Sequence, residues 1–168
     1  MKKYIFLIVS LLFLIVLSSG CTSNASNKTY SANGVSFSYP GNWNEQNTSD
    51  LQSQIGNGNT VLAYVGENNV TQFAVQKINI GSNQRLTTLS EWASSINSTT
   101  KNNGYTYVSE KSTTIDGVNA IQITLKSGNS YLTADYFIKN GNGYGTLYSA
   151  NNNDQTNLDM ILNSLKIT

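Results

Sequence analysis

The chain has 168 residues, enough for a single domain with a core of its own, and only 11% of them are charged against about 25% in an average protein. Histidine is absent and cysteine occurs once, so a zinc, copper or iron–sulfur site cannot be built from its usual ligands, nor can a Ser–His or Cys–His nucleophile pair. The net charge is +1, and taking away Lys2 and Lys3 leaves 8 basic against 9 acidic side chains, or −1; with no basic cluster and Arg85 as the only arginine, a nucleic-acid partner is not expected.

Met1-Lys2-Lys3 is a short basic head, and Tyr4 to Leu17 is an apolar run of fourteen residues. That length falls short of the about twenty residues of a spanning helix and suits the core of a signal peptide. Ser18-Ser19-Gly20-Cys21 follows and resembles the lipobox of prokaryotic lipoproteins, although Ser18 stands where that motif places Leu. Residues 1–20 are therefore expected to be a signal peptide and Cys21 the lipid-carrying residue at the outer face of a cell membrane. An uncleaved signal anchor is the other outcome.

Residues 21–33 carry almost no apolar side chains and read as a flexible tether. Residues 34–168 form the domain. Asn-x-Ser/Thr triplets begin at Asn24, Asn27, Asn47, Asn69 and Asn97 and are candidate N-glycosylation positions, or a by-product of an Asn-rich composition. The Asn and Lys bias suits an AT-rich genome such as that of a methanogenic archaeon.

Val35, Phe37 and Tyr39 alternate with serines as a half-buried strand closed by Pro40, and Trp43 returns toward the core after a turn. Residues 44–59 read as a loop. Thr60 to Val65 and Val70 to Ile80 form a hairpin pair around Gly66 to Asn69. Thr88-Leu89-Ser90-Glu91 has capping-box spacing and opens a helix that ends near Gly104, with Leu89, Trp92, Ala93 and Ile96 on one face. Asp116-Gly117 joins strands Tyr105 to Ile115 and Val118 to Lys126, and Asn140 to Gly143 joins Tyr131 to Lys139 and Tyr144 to Ala150. Thr156 or Asp154 caps a last helix with Leu158, Ile161, Leu162 and Leu165 on one stripe. The order predicts an α+β sandwich: an antiparallel sheet of six or seven strands flanked by two main helices.

The run Gly34-Val35-Ser36-Phe37-Ser38-Tyr39-Pro40-Gly41-Asn42-Trp43, the opening Leu89-Ser90-Glu91-Trp92-Ala93 and the closing strands plus helix resemble PsbP-like domains over about residues 30–168. The resemblance implies an α/β/α sandwich in a family named for an extrinsic subunit of photosystem II, which also contains many bacterial and archaeal lipoproteins. The histidines linked to metal sites in the plant subunit have no counterpart here, so the resemblance carries over no metal, cofactor or catalytic residue.

Three functions remain open. The first is a non-catalytic accessory or binding module, held at the membrane and serving a surface protein complex. The second is a glycan- or peptide-binding module that stacks its ligand on Tyr105, Tyr107, Tyr131, Tyr136, Tyr144 and Tyr148, against the simpler possibility of cross-strand packing. The third is a hydrolase working with carboxylates alone, which needs two of Glu45, Asp50, Glu67, Glu91, Glu110, Asp116, Asp135, Asp154 and Asp159 in one cleft. The segment Asn151 to Gln155 lacks the carboxylate spacing of an EF-hand calcium loop.

Overall fold

The computed structural model describes residues 26–53, 55, 58–67, 71–79 and 104–168. Among them the elements run β1 (Lys28–Ala32), β2 (Val35–Tyr39), β3 (Asn44–Glu45), α1 (Thr48–Gln52), β4 (Thr60–Glu67), β5 (Thr71–Ile78), β6 (Thr106–Ile115), β7 (Val118–Ser127), β8 (Ser130–Lys139), β9 (Asn142–Ala150), α2 (Thr156–Ser164) and β10 (Lys166–Ile167). The class is α+β, as expected. The seven-stranded sheet has the order β3-β4-β5-β9-β8-β7-β6, and a smaller sheet has the order β1-β2-β10. All pairings are antiparallel. The helix expected from Thr88, with Trp92, lies outside the described residues.

Turn chemistry explains the hairpins. Asp116 and Gly117 both have positive φ, 48° and 79°, between the paired residues Ile115 and Val118. This is the two-residue turn whose twist matches that of the strands, and only Gly, Asn and Asp enter it cheaply. Asn140-Gly141 repeats it, with φ of 51° and 73° between the partners Lys139 and Asn142. The four-residue loop expected over 140–143 is thus two residues long, and Asn142 and Gly143 belong to β9.

Three further expectations are corrected. Lys28 to Ala32, read as tether, form β1 and pair with β2 from Lys28↔Tyr39 to Ala32↔Val35. The segment is polar because only Tyr30 of its five residues is buried. Its hydroxyl donates to the Leu62 carbonyl at 2.7 Å, which fastens the strand to β4. Residues 44–59, read as a loop, contain β3 and α1, the latter capped by the Asn47 carboxamide accepting from the Ser49 N–H at 3.0 Å. The chain does not end on α2, because Lys166–Ile167 turns back to pair with β2.

The main core lies between the seven-stranded sheet on one side and β1, β2, β10 and α2 on the other. Phe37 meets Phe73 edge-on at 5.2 Å and stacks on Tyr30 at 5.2 Å, while Trp43 stacks on Tyr148 at 6.5 Å. Leu158, Ile161 and Leu165 are buried in the same cluster. Ile121, Ile123, Leu125, Leu132, Ala134 and Tyr136 form a second cluster on the sheet's other face. The central strands are therefore buried on both faces, as the unbroken burial of Leu132 to Phe137 shows.

Candidate functional site

The six tyrosines do not form a platform. Tyr136, Tyr144 and Tyr148 are buried, and Phe137 stacks on Tyr144 at 5.6 Å. Burial pushes the Tyr136 phenol up, and burial together with the Asp154 charge pushes the Tyr148 phenol up to about 12. Tyr105, Tyr107 and Tyr131 are half-buried. Tyr107 pairs in register with Leu125, on the face of the second cluster, where Tyr105 also packs. Tyr131 pairs with Lys126, one position along and so on the opposite face, with the Lys126 ammonium 5.3 Å from its ring centroid. Three of the six are thus buried in the two cores and the other three are half-buried and divided between the two faces of the sheet, so the stacking surface expected from them is not assembled.

The acids do not converge on a cleft among the described residues either. The most unusual of them is Asp135, which is 0% exposed in the centre of the sheet. Lys111, Gln122, Asp135, Thr146 and Val75 are successive register partners across β6, β7, β8, β9 and β5. Their side chains therefore share one face, and Val75 belongs to the main core. Gln122 Nε2 donates to one carboxylate oxygen at 2.8 Å and Thr146 Oγ1 to the other at 2.7 Å. The neighbouring row adds Thr124 and Thr133, whose hydroxyls lie 3.2 Å apart, and Thr133 donates to the Gln155 carboxamide oxygen before α2 at 3.4 Å.

This row gives Asp135 neutral donors but no ion pair. Burial raises its pKa from 3.8 to about 6; the hydrogen bonds and the Lys111 charge work against that rise, and the Asp159 charge adds to it. A carboxyl sealed in this way cannot touch a substrate. Among the described residues no group of three or more His, Cys, Asp or Glu side chains could hold a metal ion. The sequence hid this residue because Thr133 and Asp135 alternate with Leu132, Ala134 and Tyr136, which reads as a solvent face when the sheet is taken to be covered on one side only.

Asp116 closes the other end of the domain. Its carboxylate accepts from the Lys139 ammonium, from the Ile167 N–H at 2.8 Å and from Lys166 at 3.2 Å. Burial pushes the group up, but the bonds from Lys139, Ile167 and Lys166 outweigh it and hold the carboxyl below its ordinary value. One residue thus makes the β6–β7 turn and fastens the C-terminal strand. Asp116→Asn keeps the turn but loses the charge, and is expected to cost about 1.5–3 kcal/mol in urea denaturation, the range for a hydrogen bond to a charged group. A loss below about 0.5 kcal/mol would show that β10 docks without it.

At the start of α2 the N-cap is Gln155, whose side chain makes no capping bond; Asp154 precedes it, its carboxylate accepting from the N–H of Thr156, the first helical residue, at 2.9 Å. Cys21, Asn24, Asn69 and Asn97 lie outside the described residues. Asn27 and Asn47 are exposed; Asn27 Nδ2 contacts Met160 Sδ at 3.1 Å, and Asn47 caps α1.

The comparisons with known proteins agree with this architecture. The fold is similar to the solution structure of cyanobacterial PsbP (CyanoP) from Synechocystis sp. PCC 6803, with a TM-score of 0.59 and 16% identity over 91% of this chain and 99% of that one. No curated protein matches the sequence. The family model of the PsbP-like proteins matches residues 16–167. That span covers nearly the whole chain, and the chain belongs to the PsbP-like protein family.

Proposed function

We propose that the chain is an exported lipoprotein, anchored through Cys21 at the outer face of a cell membrane, whose PsbP-like domain acts as a non-catalytic accessory or binding module. The observation that carries this reading is the lone Cys21 behind a signal-like apolar run, seven positions ahead of the first strand. Two acyl chains hold a protein stably where one does not, so a lipidated Cys21 suffices as an anchor. With β1 starting at Lys28, the leash is Thr22 to Asn27, which spans at most about 20 Å when extended. The domain would therefore work close to the membrane, within reach of a membrane or wall complex. The burial of Tyr136, Tyr144 and Tyr148 and the division of the other three tyrosines between two faces weaken the case for a glycan platform, and the sealed Asp135 lends no support to a hydrolase.

Mass spectrometry of the membrane-extracted protein tests the anchor. The expected mature N-terminus is an acylated Cys21, and Cys21→Ala is expected to leave Met1 in place. A wild-type protein with Met1 intact and a free thiol would mean an uncleaved signal anchor instead.

A further inference from the structure

We propose a binding site for a small oxyanion-bearing ligand, a carboxylate or a phosphate, in a cleft at the end of the domain farthest from the anchor. The cleft encloses about 330 Å³ between the start of β4, the end of β5 and the β8–β9 turn, within the size range of small-ligand sites. Thr60, Lys77, Asn79 and Asn142 contribute its polar groups, and among the described residues no carboxylate lines it. Gly141 and Gly143 form part of its wall, so Asn142 is the one residue of the β8–β9 turn whose side chain lines it.

Lys77 supplies the charge. Four of the other five lysines among the described residues have a contact partner. Lys28 donates to the Trp43 carbonyl, Lys126 covers the Tyr131 ring, and Lys139 and Lys166 both hold Asp116, while Lys111 makes no hydrogen bond or ion pair and only its charge acts on Asp135. Lys77 has no hydrogen bond or ion pair among the described residues, and its backbone is fixed by pairing with Thr60 and Tyr144 on either side. Around it stand neutral donors, namely the Thr60 hydroxyl and the carboxamides of Asn79 and Asn142. An unpaired ammonium beside neutral donors, with no acid among the described lining residues, is the chemistry of an oxyanion site.

The topology fixes its orientation. The chain enters the domain at Lys28, which reaches Trp43 and Asn44 beside Gly66 at the far end of β4. Thr60, at the cleft, is the first residue of that strand, so the two points are separated by roughly 20 Å of β-structure. If the domain is anchored through Cys21, the cleft lies at the end of β4 opposite the chain's entry. The site itself goes beyond that reading and does not depend on it.

The test titrates the isotope-labelled full-length protein in detergent micelles with inorganic phosphate and, separately, with citrate, following amide resonances. At least one anion is expected to give saturable shifts confined to Thr60, Lys77, Asn79, Asn142 and Gly143. Lys77→Gln should weaken binding about tenfold, the loss of one charge-assisted contact, and Lys77→Arg should retain it. Lys126→Gln, at the opposite end, should change nothing. Saturation by phosphate alone assigns a phosphoryl ligand and by citrate alone a carboxylate. Absence of saturable shifts with both anions overturns the proposal, as does equal binding by Lys77→Gln or equal loss in Lys126→Gln. Repeating the titration on Cys21→Ala separates the site from the anchor, since binding should persist there.

Discussion

Asp135→Asn is expected to flatten the pH dependence of stability between about pH 4 and 7 and to make the domain more stable than wild type at pH 7.5. The carboxyl titrates near 6 in the folded protein and near 3.8 when exposed, so the native state holds its proton more tightly than the unfolded state. The group's contribution is therefore fully present below about pH 3.8 and is lost as pH rises through 6. Two units correspond to about 3 kcal/mol. Asparagine cannot ionise, and its amide meets the same neighbours if one of them switches from donor to acceptor, either Gln122 by reversing its own amide or Thr146 by turning its hydroxyl. Asp116 and Asp154, whose carboxyls titrate below their ordinary value, act in the opposite sense and lose their contribution only below about pH 4, so the two windows do not overlap. Urea denaturation of both proteins at pH 4.5 and 7.5 decides the matter. Equal differences between the two pH values in wild type and variant would rule out Asp135 as the source.

Trp43→Ala is expected to remove about 3–5 kcal/mol, a large share of the total stability of a domain of this size. The side chain is 1% exposed and lies against Tyr148. Its backbone is held independently, because the Trp43 N–H donates to the Pro40 carbonyl at 3.0 Å and the Trp43 carbonyl accepts from Lys28 at 2.7 Å. The turn therefore cannot follow a smaller side chain inward, and the space stays open. Trp43→Phe keeps a ring against Tyr148 and should recover about half of the loss. Denaturant midpoints followed by circular dichroism measure both, and a cost under about 1 kcal/mol for alanine would mean that the core closes over the gap.

The parts of the fold legible in the sequence are those fixed by local chemistry. Asp116-Gly117 marks its hairpin because few residues accept positive φ, and Val35, Phe37 and Tyr39 mark β2 because alternate positions are buried. What stayed hidden depends on distant partners. β1 owes its order to the ladder with β2 and to one tyrosine reaching Leu62, and β10 is two residues long and docks on Asp116. Among the candidate residues, Cys21 is legible because a lipobox is a local sequence pattern that needs no distant partner. The tyrosines were ambiguous for the opposite reason, since the face a strand residue occupies depends on register. Lys77 stands out only once the contacts of the other described lysines and the lining of the cleft are known.

The smaller sheet also has a mechanical meaning. β1 enters beside Tyr39, and Thr168 leaves beside Gly34, its N–H donating to the Gly34 carbonyl at 3.0 Å, with β2 between the two. The two ends of the domain therefore point in opposite directions along one strand. A pull between an N-terminal leash and a load at the far end runs parallel to the strands and across their hydrogen bonds, which lie perpendicular to it. The ladder resists such a pull in shear, with its bonds sharing the force, where the opposite arrangement would let β1 peel away one bond at a time.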